Sequence, residues 1–294
     1  MLILISDAFD PGLPKKLAAF GEVTEDKSRL KEADVVLVRS KTTCTKEYID
    51  GAPKLKLIIR GGVGTDNIDK EYAASKGIIV KNTPKASSIA VAELAFALMI
   101  SVPNKLVSAH MSMLEGKWLK NDLKRTELLG KTLGLVGLGN IAQELAHRAK
   151  AFGMKVAAYE ITGMGKEHAE LKGSLKELFA ESDYISIHVP LTDGTRNMIN
   201  KESISWMKDG VVIVNTSRGK CVVEEDLVEA LKSGKVGSYA TDVWYSDPPA
   251  EDCPLLKAPN VIMTPHIGAS TKENLLRIGD EVCQIIEEFV KGGK

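Results

Sequence analysis

What the sequence lacks narrows the field first. Its 294 residues carry four cysteines (Cys44, Cys221, Cys253 and Cys283) with no C-x-x-C pair. A disulfide framework or a structural zinc site is therefore not expected, no metal is expected elsewhere, and a reducing compartment is the simpler setting. Neither sign of charge is in excess: 39 basic and 39 acidic residues give a formal net charge of zero. Nucleic-acid binding needs clustered basic charge, so nucleic acid is not the expected partner. Long apolar runs are missing too. The longest, Ile89 to Val102, is interrupted by Glu93 and stops before Pro103. That is too short for a membrane span and reads as a buried helix. Met1 to Asp7 runs directly into a strand-like stretch, so no targeting segment and a cytoplasmic location are expected. No period of solenoid type recurs.

What is present is alternation. At about 150 residues per domain, the length suggests two domains. Leu2–Ser6, Val35–Val38, Leu57–Ile59 and Gly77–Val80 are short apolar runs separated by polar stretches of helical length, such as Thr45–Gly51 and Lys70–Lys76. Continuous rather than alternating apolar strands imply burial on both faces, hence a parallel sheet covered by helices. Ser87–Val102 reads as a helix apolar on nearly all sides, which belongs between layers or between domains. Asn104–Gly130 is polar, with the single large aromatic Trp118, and reads as a helix plus an extended arm. Six further strands follow: Leu133–Val136, Val156–Tyr159, Tyr184–Ile187, Val211–Val214, Gly237–Ala240 and Val261–Met263. Helices Ile141–Phe152 and Glu224–Lys232 lie among them, with Gly153 where a helix C-terminal cap belongs. Ser270-Thr271-Lys272-Glu273 has the spacing of a capping box for a last helix that ends at Gly292-Gly293.

The most informative local stretch is Gly137-x-Gly139-x-x-Ala142, preceded by an apolar strand and followed by a helix. Gly137 permits the tight turn, Gly139 admits a pyrophosphate against the backbone, and Ala142 lets helix and strand pack closely. The pyrophosphate would take up the free amides and positive dipole end at the helix start. Glu160 ends the next strand at about the 20-residue spacing of an acid that binds the adenosine ribose diol. Ile161 stands where a 2′-phosphate would call for a basic residue. NAD is thus expected rather than NADP.

Oxidation of a hydroxy acid by hydride transfer needs a base for the hydroxyl proton, a cation for the carboxylate and a partner for the base. Three strand ends of the second unit offer them. Arg218 follows Val214-Asn215-Thr216-Ser217, and its planar fork suits a carboxylate. His266, in Thr264-Pro265-His266-Ile267-Gly268, is the base candidate, because imidazoles titrate near neutrality. Asp242 and Asp247 lie in the segment between. His110, His147, His168 and His188 are assigned no chemistry.

Several motifs in order resemble the D-isomer-specific 2-hydroxyacid dehydrogenases, and within them the phosphoglycerate dehydrogenase branch. They are Arg60-Gly61-Gly62-Val63-Gly64-Thr65-Asp66-Asn67-Ile68-Asp69, Asn82-Thr83-Pro84, Ala92-Glu93-Leu94, Gly137-Leu138-Gly139-Asn140-Ile141, His188-Val189-Pro190-Leu191, Asn215-Thr216-Ser217-Arg218-Gly219 and Pro265-His266-Ile267-Gly268-Ala269-Ser270-Thr271. The resemblance implies two tandem doubly wound α/β domains with parallel sheets. Residues 1–86, completed by a helix over 270–294, would be a flavodoxin-like substrate-binding domain. Residues 87–269 would be a Rossmann NAD-binding domain with a dimerisation arm at about 103–130, anchored by Leu114 and Trp118. It further implies Arg218 on the substrate carboxylate and His266 as acid and base. It implies Asp242 on the nicotinamide carboxamide, and Asn140, Ile141, Val189, Thr216, Ser217, Gly268 and Ala269 lining the cofactor. Arg39, Ser40, Arg60, Gly61 and Gly62 would hold substrate.

One departure stands out. Where the family has a glutamate that pairs with the histidine and favours its protonated form, this chain has Asp247, one methylene shorter. Direct pairing then needs a backbone shift, unless a water bridges the two or no pair forms. The implied activity interconverts 3-phospho-D-glycerate and 3-phosphohydroxypyruvate, with a homodimer as the assembly and no regulatory domain after the last helix. Reduction of glyoxylate, hydroxypyruvate or another 2-keto acid is the alternative on the same mechanism. A NAD-sensing, corepressor-like binding protein is the alternative of another class, motivated only by Asp247.

Overall fold

The computed structural model describes residues 1–292 and divides into two compact units, Met1–Ser88 with Ala269 onward, and Ile89–Gly268.

In the first unit the strands are β1 (Leu2–Ile5), β2 (Glu22–Thr24), β3 (Val35–Val38), β4 (Leu57–Arg60) and β5 (Ile79–Asn82). All pair in parallel, in the order β2-β1-β3-β4-β5. Successive side chains of a strand point to opposite faces. Ile3, Ile5, Val35, Leu37, Leu57 and Ile59 accordingly enter one core with Ile278, Val282 and Ile286 of the C-terminal helix, Lys272–Lys291. Leu4, Val36, Val38 and Ile58 enter the core on the other face. That face is closed by α2 (Lys46–Asp50) and α3 (Lys70–Ser75), while α1 (Leu13–Leu17) buries Leu13 and Leu17 beside the C-terminal helix. Thr45 and Asp69 cap α2 and α3 by accepting from Tyr48 and Tyr72 amides.

The second unit opens with α4 (Ser88–Ser101), which buries Ala92, Ala95, Leu98 and Met99 in one of its cores, and α5 (Leu106–Leu114). Its strands are β6 (Thr132–Val136), β7 (Lys155–Tyr159), β8 (Glu170–Leu171), β9 (Tyr184–Ile187), β10 (Val211–Asn215), β11 (Val236–Thr241) and β12 (Val261–Met263). They form one parallel sheet in the order β12-β11-β10-β9-β6-β7-β8. Between them run α6 (Asn140–Ala151), α7 (Leu175–Glu181), α8 (Lys201–Ser205) and α9 (Glu224–Ser233). Chain order reverses between β6 and β9, so the carboxyl ends around that reversal are where ligands of such sheets bind.

Three expectations need correction. β2 and β8 were not expected as strands: both are short edge strands, of three and two residues, and no apolar run marks them. The C-terminal helix is capped one residue later than the capping-box spacing suggests. Thr271, not Ser270, accepts from the Asn274 amide, and Asn274 rather than a glutamate occupies the third helical position. Asn274 turns its side-chain amide to the Ala269 carbonyl at 2.7 Å, which fixes the helix start there. The helix closes at Gly292, and Gly293 and Lys294 lie outside the described residues. No single helix among the described residues is long and apolar enough to cross a membrane.

Candidate active site

The turn between β6 and α6 is shaped by its glycines. Gly137 has φ +86, and a Cβ there would sit 2.8 Å from the His188 carbonyl oxygen, so only glycine fits. Gly139 precedes the first residue of α6, and its Cβ position opens onto free space. Ala142 is buried against the sheet. The amides of Asn140, Ile141 and Ala142 begin a helix and lack intrahelical partners by position. Glu160, just past β7, accepts from the Leu138 amide at 2.7 Å and from the Thr162 amide and hydroxyl at 2.6 and 2.7 Å. Burial pushes its carboxyl up, but the bonds from Thr162 and Leu138 outweigh that and hold it below the usual carboxylate range. The acid is therefore ionised and aimed at the turn. Exposed Ile161 offers no cation beside it.

β10 ends in Asn215, followed by Thr216, Ser217 and Arg218. Asn215 is fully buried, and its amide donates to the Arg218 carbonyl at 3.0 Å and to the Tyr239 hydroxyl at 3.2 Å. This braces the turn from inside. Ser217 Oγ donates to the Val189 carbonyl, joining the ends of β9 and β10. Thr216 Oγ1 is buried with no hydrogen-bond partner among the described residues. A buried hydroxyl without a partner is costly. Together with the open space at Gly139 and the free amides of α6, it matches what a dinucleotide would need from this chain. Arg218 donates from Nη1 to the Ser217 carbonyl at 2.7 Å, which holds its fork at the strand end.

His266 follows β12 with φ +55, a left-handed conformation that costs a non-glycine residue about 1–2 kcal/mol. Asp242 holds it there. Only 2% exposed, Asp242 accepts at Oδ1 from Thr264 Oγ1 (2.6 Å) and the Ile267 amide (2.8 Å), and at Oδ2 from the Gly268 amide (2.7 Å). A carboxylate offers about four lone-pair sites. Three are taken by the turn around His266, leaving one on Oδ2. Position 242 thus has a structural task that sequence reasoning missed; Thr264, a hydroxyl two residues before His266, was its signal.

Asp247 pairs directly with His266 Nδ1 through Oδ2. Of the alternatives left open by the shorter side chain, direct contact is the one found, and the feature that motivated a non-enzymatic reading goes with it. His188, by contrast, shares a 2.8 Å hydrogen bond with Ser186 Oγ, and burial pushes its imidazole down to about 4. It is neutral at physiological pH.

The first unit places Arg39 and Arg60 at the ends of neighbouring strands, because Val38 is in register with Arg60 and Arg39 follows Val38. Arg39 donates from Nη1 to Ala8 O (3.4 Å) and from Nη2 to Ala269 O (3.2 Å), while its buried Nε has no partner among the described residues. Asp7, also missed from the sequence, orders this loop: its Oδ2 accepts from the amides of Arg39 (2.5 Å) and Thr42 (3.1 Å). Ser40 is exposed. Gly62 has φ +145, and the Arg60 guanidinium lies across it so closely that a Cβ would fall 1.5 Å from Nη1. A Cβ on Gly61 would fall 2.5 Å from the Phe9 ring. Ala269, expected at the cofactor, belongs to this unit, its carbonyl engaged by Arg39 and Asn274.

Residues 96–268 match the family model described as "D-isomer specific 2-hydroxyacid dehydrogenase, NAD binding domain". The chain is 51% identical to a hydroxypyruvate reductase of Thermotoga maritima, over 87% of this chain and 84% of that one. It is 44% identical to a D-3-phosphoglycerate dehydrogenase of Methanocaldococcus jannaschii, over 99% of this chain, which spans 57% of that relative's length. Among solved structures, a D-lactate dehydrogenase of Aquifex aeolicus complexed with NAD and lactic acid superposes with a TM-score of 0.87 at 33% identity, covering 99% of this chain and 96% of that one. The chain therefore belongs to the D-isomer specific 2-hydroxyacid dehydrogenases, NAD-dependent oxidoreductases, and residues 96–268 lie in its NAD-binding domain.

Proposed function

We propose that this dehydrogenase interconverts 3-phospho-D-glycerate and 3-phosphohydroxypyruvate. The observation that carries the reading is the pair of arginines at neighbouring strand ends, Arg39 and Arg60. Arg218 supplies the cation that a 2-hydroxy acid's carboxylate needs, and two more match a second anionic group such as a phosphate. In this reading Ser40, Gly61 and Gly62 complete the substrate contacts by hydroxyl and closely approached backbone.

A nicotinamide held there would supply or accept the hydride. Arg218 holds the carboxylate and polarises the carbonyl, His266 delivers the proton to the oxygen on reduction and removes it on oxidation, and Asp247 stabilises the imidazolium between those events. Glu160 takes the adenosine ribose, Gly137, Gly139, Asn140 and Ile141 take the pyrophosphate, and Val189, Thr216, Ser217, Asp242 and Gly268 line the remainder.

The 51% identity to a hydroxypyruvate reductase favours a second reading, in which the substrate is hydroxypyruvate itself. Steady-state reduction of 3-phosphohydroxypyruvate, hydroxypyruvate and glyoxylate with NADH and NADPH decides between them. The first reading expects kcat/KM highest for the phosphorylated acid. It also expects Arg60→Ala to raise that KM about 10–100-fold, the loss of one charge-assisted contact, while KM for hydroxypyruvate changes little. Highest efficiency on hydroxypyruvate, indifferent to Arg60→Ala, rejects it in favour of the second. α5 and the stretch after it expose Leu106, Met111, Met113, Leu114 and Trp118, the last 75% exposed. In the same proposal this arm pairs two copies, and the buried thiols of Cys44, Cys221 and Cys253, none in a disulfide, suit the cytosol.

A further inference from the structure

Aspartate has a short arm. For Asp247 to reach His266 Nδ1, its own backbone must be carried close to the imidazole. Yet the loop that bears it is exposed at Tyr245, Ser246, Asp247 and Pro248, and among the described residues its internal bond is Ser246 Oγ to the Pro248 carbonyl at 2.8 Å.

The residue that brings the loop in is Trp244. Its ring lies in the core of the second unit, 9% exposed, and its Nε1–H donates to the Thr264 carbonyl at 3.1 Å. Thr264 stands two residues before His266, so this bond ties the segment bearing the acid to the segment bearing the base. From the other side the loop rests on Gly219. A Cβ on Gly219 would lie 2.1 Å from the Trp244 carbonyl carbon and 2.6 Å from the Tyr245 nitrogen. No side chain fits between the Arg218–Gly219 turn and this backbone. The start of the loop is clamped as well: Thr241 Oγ1 donates to the Val243 carbonyl at 2.7 Å and accepts from the Val243 amide at 3.1 Å. Lys220 Nζ lies 5.1 Å from the centroid of the Tyr245 ring. The charged and titratable groups carried by these elements beside the pair's segments are Arg218, Lys220, Tyr245 and Asp242.

We propose that Trp244 is a positioning residue whose indole N–H, braced by the close packing of Gly219, sets the separation of Asp247 from His266 and with it the pH range of proton exchange. The proposal rests on the reading of His266 as the acid–base group. A tryptophan that merely filled space could become phenylalanine without moving the pH dependence. A strut could not.

The test is the pH–rate profile of keto-acid reduction by the full chain with NADH. Trp244→Phe keeps the ring's packing and removes the donor. Its kcat falls about tenfold, a part of what a positioned acid–base group contributes, and KM stays within about twofold because Arg218 keeps its turn. The alkaline limb moves to lower pH, because a carboxylate further away stabilises the imidazolium less. Asp247→Glu in the Trp244→Phe background adds the missing reach: kcat recovers to within about threefold of the wild type and the limb returns. A Trp244→Phe profile that superimposes on the wild type overturns the proposal, as does a double variant no better than Trp244→Phe. Gly219→Ala pushes the same loop from the opposite side and should shift the limb in the same direction. If Trp244→Phe does not fold, an unshifted Gly219→Ala profile overturns the proposal instead. His266→Ala separates the two levels. Activity that survives it rejects the acid–base reading itself, whereas activity lost there beside an unshifted Trp244→Phe profile rejects only the strut.

Discussion

Two aspartates five residues apart, Asp242 and Asp247, sit in opposite surroundings. Asp242 is 2% exposed and accepts three hydrogen bonds from the turn around His266. Asp247 has a side chain 46% exposed and meets the imidazole of the same histidine. The same carboxylate serves two purposes because of what surrounds it. Buried and nearly saturated, Asp242 fixes the backbone on which His266 stands. Exposed, Asp247 bonds the imidazole ring itself. One holds the backbone that carries the imidazole, and the other holds its ring nitrogen.

The contrast breaks most visibly at Asp242. Asp242→Ala leaves the Ile267 and Gly268 amides and the Thr264 hydroxyl without their acceptor, and releases a left-handed residue from the contacts that impose that conformation. We expect a loss of about 3 kcal/mol in chemical denaturation, and a kcat at least about 100-fold lower in the protein that remains folded. Wild-type stability would mean that the turn is held by something else. Asp247→Asn should do the reverse. Its stability should stay within about 0.5 kcal/mol, as for most exposed pairs, while kcat falls about 10–100-fold with the pH profile displaced. Equal losses of stability in the two variants would erase the distinction.

How much of this was legible in the residues depends on how local the physics is. The Gly137–Gly139 turn, Glu160, and the strand ends bearing Arg218 and His266 follow from short-range spacing, because a glycine turn between strand and helix is itself a local structure. The Asp247–His266 contact was a question the sequence could pose and not answer: one methylene decides it only when the backbone path is known. Trp244, Thr264 and Asp7 act through bonds to residues distant in the chain or to backbone atoms, and no composition or period announces these. The edge strands β2 and β8 escaped for a related reason. Exposed on the side where pairing ends, they need no apolar run. The cap at Thr271 escaped because Ser270 and Thr271 are chemically equivalent acceptors, and the Asn274 bond to Ala269 chooses between them.

The same contrast of buried against exposed extends to two histidines, and there the expected effect is smallest. His266 is exposed beside a carboxylate, whereas His188 is partly buried, hydrogen-bonded to Ser186, and pushed by burial down to about 4. In the unfolded chain an imidazole titrates near about 6.5. Between those two values the unfolded state binds the extra proton and the folded state does not. The stability that His188 contributes is therefore complete above about pH 6.5 and declines as pH falls towards 4, reaching a loss of about 1 kcal/mol by pH 5.5. His188→Gln keeps a partner for Ser186 and removes the titration. Denaturation midpoints measured from pH 7.5 to pH about 5 should fall less steeply for the variant than for the wild type. Parallel slopes would mean that the imidazole is protonated in the folded state, and that enclosure here does not exclude charge as it does around the strand ends of the same sheet.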